Sequence, residues 1–352
     1  MNIFHIATTG CLLTLMIANA PGAEAQVQAP TAQKTEKADE QDENLAEIPG
    51  AISELMQQYH YDPSILSNPE YLAIEQKVAS LANSASTQAE FVAAFNKAWR
   101  DGPFSHVRLS VARMTASEMA TYVDTIRVGG GGAVLDWQDD IAILTVKTMM
   151  GLDTIEEIDA AFLDIAKRPT RGLIIDLRAN DGGAFAVKPL VGHVVDTPVL
   201  GGVFVSRKWS GKHDRYPSQS EVEAVAPWQG WSVKAFWHDL QSDPMIRMEI
   251  NPAQPTFDGP VYVLVSSRTA SAAELAADAF AASGRAVIIG EQTAGQMLSQ
   301  TMFDLPGGLQ LALPVGDYYA FHSGRIEGKG VQPHIKVEAD DAMTTALKLI
   351  GN

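Results

Sequence analysis

The chain has 352 residues, of which 46% are apolar and 19% are charged. This composition is too apolar for a disordered polymer, and the length is sufficient for two hydrophobic cores or one large one. A total of 26 Lys and Arg against 42 Asp and Glu gives a formal net charge of −16, which repels phosphate and argues against a nucleic-acid partner.

The first 25 residues have the pattern of a bacterial export signal. Residues 11–20 (CLLTLMIANA) form a short apolar run, and residues 23–25 supply the small residues that a signal peptidase accepts, so we expect cleavage after Ala25. The run is shorter than the roughly 20 residues of a membrane span, which makes an uncleaved anchor the weaker alternative. Lipid attachment at Cys11 is disfavoured because Thr8 stands where a Leu-like residue is needed. The sequence therefore predicts a periplasmic or secreted protein without stable membrane insertion.

Cys11 is also the only cysteine of the chain. Cleavage after Ala25 would remove it, so we expect no disulfide, thiolate nucleophile or Cys metal ligand in the mature protein. The next residues, 26–44 (QVQAPTAQKTEKADEQDEN), contain almost no large apolar side chain. Their burial cannot offset the entropy lost on ordering, and we predict a flexible leader.

Three segments after this leader have the apolar spacing of helices. The last is the clearest, because Thr87 and Glu90 match a capping box and the large apolar residues after them fall on one face. The predicted helices are residues 48–59, 70–83 and 88–99. Together they predict an N-terminal helical domain over residues 45–102.

From residue 129 onward, strand patterns and helix patterns alternate. Asp153 is the expected N-cap of one helix, and Gly284 is expected to end another. The predicted strands are residues 133–137, 141–146, 173–177, 261–265 and 286–289, and the predicted helices are residues 154–167 and 272–282. The first two strands form a hairpin, and the later order indicates crossover connections. We therefore predict an α/β fold: the helical subdomain is followed, over residues 103–352, by a mixed sheet with parallel crossover units.

Residues 209–257 form a proposed insertion at the rim of a cleft. They hold four of the six tryptophans, namely Trp209, Trp228, Trp231 and Trp237. These side chains either line a substrate groove, form a partner surface or pack in the core, and core packing is the usual place for tryptophan.

Ser271 is the first of three candidates for chemistry. It lies where the loop after the predicted strand 261–265 gives way to a helix. A hydroxyl at that place is beside unpaired N–H groups and the positive end of the helix dipole, which stabilise a developing oxyanion. Considered alone, such a serine more often only caps the helix.

The other two candidates are the Asn180-Asp181-Gly182-Gly183 sequence and His106. Paired glycines let backbone amides approach a ligand closely, although an ordinary turn explains the motif when it is considered alone. The His106 imidazole, in a predicted loop, can act as a base, although a single histidine is usually structural. No HExxH or similar spacing predicts a metal site, and no cofactor is expected.

Three blocks of sequence occur in a specific order over about residues 101–338. They are residues 172–183 (GLIIDLRANDGG), residues 266–295 (SSRTASAAELAADAFAASGRAVIIGEQTAG) and residues 326–335 (IEGKGVQPHI). They resemble the strand and oxyanion loop, the nucleophile block and the closing segment of the C-terminal-processing, or tail-specific, serine peptidase family. The resemblance implies a ClpP/crotonase-like core and a peptide or protein substrate.

Two departures from the family's pattern indicate one of its branches. Processing peptidases use a Lys as general base, but the matching position, 25 residues after Ser271, holds Gln296, whose amide cannot accept a proton from Ser271. The roughly 20 residues between His106 and Gly129 are also too few for the peptide-binding PDZ module of those enzymes. Both features resemble the tricorn core branch and the related interphotoreceptor retinoid-binding repeats.

The tricorn resemblance implies a catalytic tetrad. Its members would be Ser271 as nucleophile, His106 as base, Ser105 as the hydroxyl bonded to His106, and Glu327 as the carboxylate that orients the pair. The backbone amides of Gly182 and Ala272 would hold the oxyanion, and Gly183 would shape the turn. Lys329, two residues after Glu327, is an alternative candidate for the general-base Lys, but nothing in the motif supports it. His334 stands where the family usually has Asp.

The sequence therefore predicts an exported serine peptidase that hydrolyses peptide bonds through an acyl-enzyme on Ser271. One alternative is a non-catalytic protein that binds an apolar ligand or a peptide on the same fold, as the retinoid-binding repeats do. Another is an esterase with the same mechanism and a different pocket. Retention of the four tetrad residues favours an enzyme, because a binding protein has no need of all of them. The sequence makes no prediction of the oligomeric state.

Overall fold

The computed structural model of the chain describes residues 45–351, so the signal peptide and leader predicted over residues 1–44 lie outside the described residues. Its helices are α1 (Ile48–Tyr59), α2 (Pro69–Ser84), α3 (Gln88–Trp99), α4 (Ala116–Val123), α5 (Leu152–Ile165), α6 (Val187–Gly192), α7 (Arg207–Ser210), α8 (Gln219–Glu223), α9 (Val233–Ser242), α10 (Ala272–Ser283) and α11 (Ala339–Gly351). Its strands are β1 (Arg108–Val111), β2 (Ala133–Gln138), β3 (Ile141–Val146), β4 (Gly172–Asp176), β5 (Val199–Ser206), β6 (Met245–Ile250), β7 (Val261–Val265), β8 (Ala286–Gly290), β9 (Ser299–Leu305), β10 (Leu309–Ala320), β11 (Gly324–Arg325) and β12 (Ile335–Lys336). Within this part of the chain, no helix is long and apolar enough to cross a membrane.

Helices α1 to α3 confirm the three predicted N-terminal helices. The Thr87 hydroxyl caps α3 by accepting the Glu90 N–H at 3.2 Å, but the Glu90 carboxylate accepts the N–H of Ser86 instead of that of Thr87. Helix α1 packs on β9 and β10, and α3 packs on β1. Their buried side chains, such as Phe91 and Phe95, belong to the same hydrophobic cluster as those of the sheets.

A six-stranded sheet in the order β12-β8-β7-β4-β3-β2 forms the centre of the α/β region. Strands β2 and β3 make the predicted antiparallel hairpin, and the other neighbours pair in parallel, which confirms the predicted crossover units. Leu173 of β4 lies opposite Val261 of β7. Because both strands run in the same direction, the loops after their carboxyl ends lie side by side.

Helices cover both faces of this parallel sheet. Along β4, Ile174 packs in a cluster with Ile350 of α11, whereas Leu173 and Ile175 face the main core, which includes Phe162 of α5. All three β4 side chains are fully buried. A strand buried on both faces has a continuous apolar sequence, and this is the pattern from which the strand was predicted.

A second, antiparallel sheet was not predicted from the sequence. It has the order β1-β10-β5-β6, and β9 and β11 also pair with β10. Strand β10 contains Pro314 and Gly316, and its pairing with β9 is irregular between these two residues. Pro and Gly weaken a local strand signal, so only the long-range pairing reveals this element. Residues 209–257 contribute β6 to the sheet.

The prediction that Asp153 caps a helix was wrong. Helix α5 begins at Leu152 with Gly151 at the N-cap, so Asp153 lies inside its first turn. The Asp153 carboxylate instead accepts the backbone N–H groups of Val128, Gly129 and Gly130 at 2.9 to 3.0 Å. Its role is therefore to hold the glycine-rich segment that precedes β2.

Candidate active site

Ser271 lies at the junction between the loop after β7 and helix α10. Its backbone angles are φ 56° and ψ −125°, a region that non-glycine residues rarely adopt. Its N–H donates to the Glu274 carboxylate at 3.0 Å, and its carbonyl oxygen accepts the Glu274 N–H at 2.8 Å. The strained backbone and these two hydrogen bonds thus hold Ser271 at the N-terminus of α10.

The loop after β4, residues 180–185, is called the glycine loop here, and it lies directly against Ser271. A Cβ atom on Gly182 would stand 2.6 Å from the Ser271 Cβ, and its φ is +104°, so only glycine fits. The buried Asn180 side chain holds the loop by donating to Val146 O and accepting the Gly182 N–H at 2.9 Å. The backbone of Asn180 also accepts the N–H of Ala270. The glycine loop and the Ser271 loop are therefore joined.

The free amides near Ser271 are not the pair that the resemblance implies. The Gly182 N–H is engaged by Asn180 Oδ1. Within residues 45–351, the N–H groups of Gly183 and Ala272 have no hydrogen-bond acceptor. A Cβ on Gly183 would come within 2.4 Å of the Met150 N atom, so this position also requires glycine.

Ser105, His106 and Glu327 form a continuous chain of hydrogen bonds across 222 positions of sequence. The Ser105 hydroxyl donates to Glu327 Oε1 at 2.6 Å and lies 2.5 Å from His106 Nδ1. Because its only proton goes to the carboxylate, Ser105 must accept a proton from Nδ1–H. This arrangement selects the histidine tautomer with a bare Nε2, which is the form that a general base requires.

The surroundings of His106 favour the neutral imidazole. Burial lowers the pKa of His106 from 6.5 to about 4, because the charged ring would lose its hydration. Its Nε2 atom is screened from solvent and has no hydrogen-bond partner within residues 45–351. The backbone φ of His106 is +64°, so this residue, like Ser271, adopts a strained conformation.

The segment between β8 and β9 links Ser271 to the Ser105-His106-Glu327 chain. Met297 N–H donates to Glu327 Oε2 at 2.7 Å, and the adjacent Gln296 N–H donates to Glu274 Oε2 at 2.8 Å. The same Glu274 oxygen accepts the N–H of Ser271. Consecutive amides of one segment therefore bind the carboxylates that hold the two halves of the site. No hydrogen bond joins His106 to Ser271 within the part of the chain that the structure describes.

Glu274 is a site residue that the sequence analysis missed. Its side chain is fully buried, and it accepts hydrogen bonds from Ser271 N, Thr293 Oγ1, Gly295 N and Gln296 N. Burial raises the pKa of this carboxyl, and the four donors oppose the shift. The Ser-x-x-Glu spacing at the start of α10 is the signal that identifies it, since it matches a capping box.

Several other side chains singled out in the sequence have structural surroundings. Lys329 is exposed, and His334 Nδ1 accepts the N–H of Ile288, so a histidine supports the backbone at this place. Trp209 and Trp237 are buried, Trp228 is half-buried and Trp231 is 55% exposed. Among residues 45–351, no group of three or more His, Cys, Asp or Glu side chains is arranged to hold a metal ion.

A model of peptidase family S41 matches residues 140–337, which is more than half of the chain and includes β4, the glycine loop, Ser271 and Glu327. The chain belongs to peptidase family S41. Its mixed α/β architecture with N-terminal helices is that of S41 protease folds.

Curated relatives of the chain are named as carboxyl-terminal-processing proteases. A carboxyl-terminal-processing protease of Synechocystis is 38% identical over 183 residues, which are 52% of this chain and 35% of that protein. A chloroplastic C-terminal processing peptidase of Tetradesmus obliquus is 28% identical over 190 residues, which are 53% of this chain and 33% of that protein. The alignments thus cover about a third of the length of these relatives.

Solved structures share the S41 fold over most of the chain. A putative peptidase from Parabacteroides merdae has a TM-score of 0.59 at 14% identity, covering 87% of this chain and 96% of that one. Mature CPAF has a TM-score of 0.54 at 13% identity, covering 88% and 95%. The tricorn protease has a TM-score of 0.53 at 12% identity, covering 88% of this chain and 37% of that one. At these identities the likeness shows the fold alone.

Proposed function

We propose that this S41 peptidase is an exported serine peptidase that hydrolyses peptide bonds through an acyl-enzyme on Ser271, with His106 as the base. The observation that carries the proposal is the hydrogen-bond chain Glu327-Ser105-His106, which leaves Nε2 as an unpartnered acceptor. A general base needs a ring nitrogen without a proton, and the tautomer set by Ser105 provides it at Nε2.

The proposed reaction begins when His106 Nε2 accepts the Ser271 proton as Oγ attacks the scissile carbonyl. The resulting imidazolium donates Nδ1–H to Ser105, and the Glu327 carboxylate offsets its charge through the Ser105 hydroxyl. Nε2–H then protonates the leaving amine, and a water molecule repeats the sequence to release the acid. Gln296, which replaces the family's Lys, takes no part in proton transfer because its amide is neutral.

The oxyanion of the tetrahedral intermediate needs donors that are free when substrate binds. We assign this role to the backbone N–H groups of Ala272 and Gly183, because the Gly182 N–H is already bonded to Asn180. Ala272 is the first residue of α10, where the helix dipole adds positive potential. Loss of one such donor raises a barrier by on the order of 3 kcal/mol.

The substrate class and the location follow from different observations. Family membership supports a peptide or protein substrate, and the names of the curated relatives refer to the processing of carboxyl termini. Export rests on the signal-peptide pattern of residues 1–25. Accumulation of the chain without residues 1–25 in the periplasm or culture medium would support it, and retention of the whole chain in the cytoplasm would contradict it.

A fluorophosphonate probe tests the proposed nucleophile directly. We expect the wild-type protein to be labelled and Ser271→Ala to be unlabelled, with labelling of His106→Ala reduced at least 100-fold in rate. Ser267→Ala removes a hydroxyl from the same loop and serves as the matched control, and Lys329→Ala tests the alternative candidate for the base. Both should label like the wild type.

Three outcomes would contradict the proposal. Labelling that persists in Ser271→Ala would exclude Ser271 as the nucleophile. Activity that survives in His106→Ala but is lost in Lys329→Ala would show that the base is misassigned. A wild-type protein that neither labels nor cleaves any peptide would favour the non-catalytic binding protein.

A further inference from the structure

Three aromatic rings stand at the end of the glycine loop, and we call them the aromatic platform: Phe185, Trp228 and Trp231. The Phe185 and Trp228 rings are stacked with centroids 5.3 Å apart, and Trp231 meets Phe185 edge-on at 6.3 Å. Trp231 is 55% exposed, the largest exposure among the large apolar side chains of residues 45–351. An exposed indole that packs with two other aromatic rings forms an apolar patch of the kind found at binding sites.

The aromatic platform is held from beneath by Lys188. Its ammonium lies 4.8 Å from the Trp231 centroid, 4.9 Å from Trp228 and 5.2 Å from Phe185, and it donates to the Gly230 carbonyl at 2.6 Å. Only 9% of Lys188 is exposed, so the charge is enclosed by the rings and by the segment that carries Trp231. Both tryptophans therefore contact the same enclosed cation.

The aromatic platform begins three residues after the glycine that lies against Ser271. Phe185 is three residues after Gly182, which lies against the Ser271 Cβ. Consecutive Cα atoms are about 3.8 Å apart, so the Phe185 Cα is at most about 11 Å from that of Gly182. An extended peptide advances about 3.3 Å per residue, so the Phe185 Cα lies within the length of about three or four residues of an extended peptide from the Gly182 Cα.

We propose that the aromatic platform is a substrate subsite that binds one large apolar or aromatic side chain of the peptide, within a few residues of the scissile bond. This inference rests on the proposed peptidase function. A side chain that covers Trp231 gains apolar contact. The positive charge of Lys188 repels a lysine or arginine side chain at the same place, so the subsite excludes basic residues.

The test uses fluorogenic peptides that have alanine at three positions on each side of the cut, except at one position that carries Phe, Leu or Lys. We expect one of these six positions to be sensitive to the side chain. At that position Phe should raise kcat/KM roughly tenfold over Ala, and Lys should lower kcat/KM below that of Ala. Trp231→Ala should bring the Phe/Ala ratio to within about twofold of unity. Trp231→Phe should retain part of the preference, and Leu163→Ala, an exposed apolar residue of α5, is the matched control.

Either of two outcomes overturns the subsite. The first is a Phe/Ala ratio that Trp231→Ala leaves unchanged. The second is an equal loss of kcat/KM for every peptide in Trp231→Ala, which indicates a structural role only. If the wild-type protein cleaves no peptide, the dissociation constants of the same peptides decide the question. Tighter binding of the Phe peptide that is lost in Trp231→Ala supports the subsite even though the proposed hydrolysis fails, and equal dissociation constants refute it.

Discussion

Replacing Ser105 with alanine is the sharpest perturbation of the proposed mechanism, because one hydroxyl connects the base to its carboxylate. Ser105→Ala removes the 2.6 Å hydrogen bond to Glu327 Oε1 and the 2.5 Å contact with His106 Nδ1. It retains the Glu327 carboxylate and the His106 imidazole. The Met297 N–H still binds the other oxygen of Glu327. The carboxylate should therefore keep its position while losing its connection to the imidazole.

The expected loss has two parts. Glu327 is only 7% exposed, so the unpaired Oε1 should reduce the free energy of unfolding by about 1 to 3 kcal/mol. His106 loses the acceptor that selects the Nδ1–H tautomer, and the imidazolium loses the carboxylate connection that stabilises it. General-base catalysis contributes about 100- to 10,000-fold to a rate, and we expect Ser105→Ala to lower kcat roughly 100- to 1,000-fold.

The assay is kcat and KM on one fluorogenic peptide, with urea unfolding measured in parallel. Ser105→Thr retains a hydroxyl and should recover most of the activity, and Ser110→Ala in β1 is the matched control. Adding Glu327→Gln to Ser105→Ala should lower kcat by less than threefold more, because both changes break the same chain of hydrogen bonds. The reasoning is refuted if Ser105→Ala keeps more than a third of the wild-type kcat while His106→Ala is inactive.

Two further predictions concern the base and the loop support. Because burial lowers the pKa of His106 to about 4, we expect kcat/KM to be level from pH 8 to 6 and to fall by half near pH 4. A kcat/KM profile with its midpoint at pH 6.5, measured on protein that circular dichroism shows to be folded, would contradict the proposed environment of His106. The unfolded imidazole takes its proton near pH 6.5 and the buried ring only near pH 4, so the free energy of unfolding should fall as the pH drops between these values. Glu274→Gln places an amide NH₂ group against backbone donors and should cost on the order of 3 kcal/mol in urea unfolding, together with a loss of Ser271 labelling. Wild-type stability and labelling of that variant would show that Glu274 does not position Ser271.

Short-range sequence patterns predicted the N-terminal helices and most of the central sheet well. The three N-terminal helices, the β2–β3 hairpin, the strands β4, β7 and β8 and helix α10 all lie close to their predicted bounds. These elements are indicated by local features of the sequence, namely the spacing of apolar residues, the residues that cap helices and the glycines that end them. The antiparallel sheet was missed, because β10 contains Pro and Gly and is stabilised by partners distant in sequence.

The sequence by itself determined the family resemblance and proposed Ser105, His106, Ser271 and Glu327 as one site, because residue types and block order are written in the chain. Only the tertiary structure decided three further points. The Glu327 carboxylate accepts the Ser105 hydroxyl, the contact with Ser105 selects the tautomer of His106, and the Asn180 side chain accepts the Gly182 N–H. The enclosure of Lys188 by three rings was equally beyond sequence reasoning. Hydrogen bonds and ring contacts depend on distances of a few ångströms between distant segments, and these distances are set by how the two sheets pair and pack.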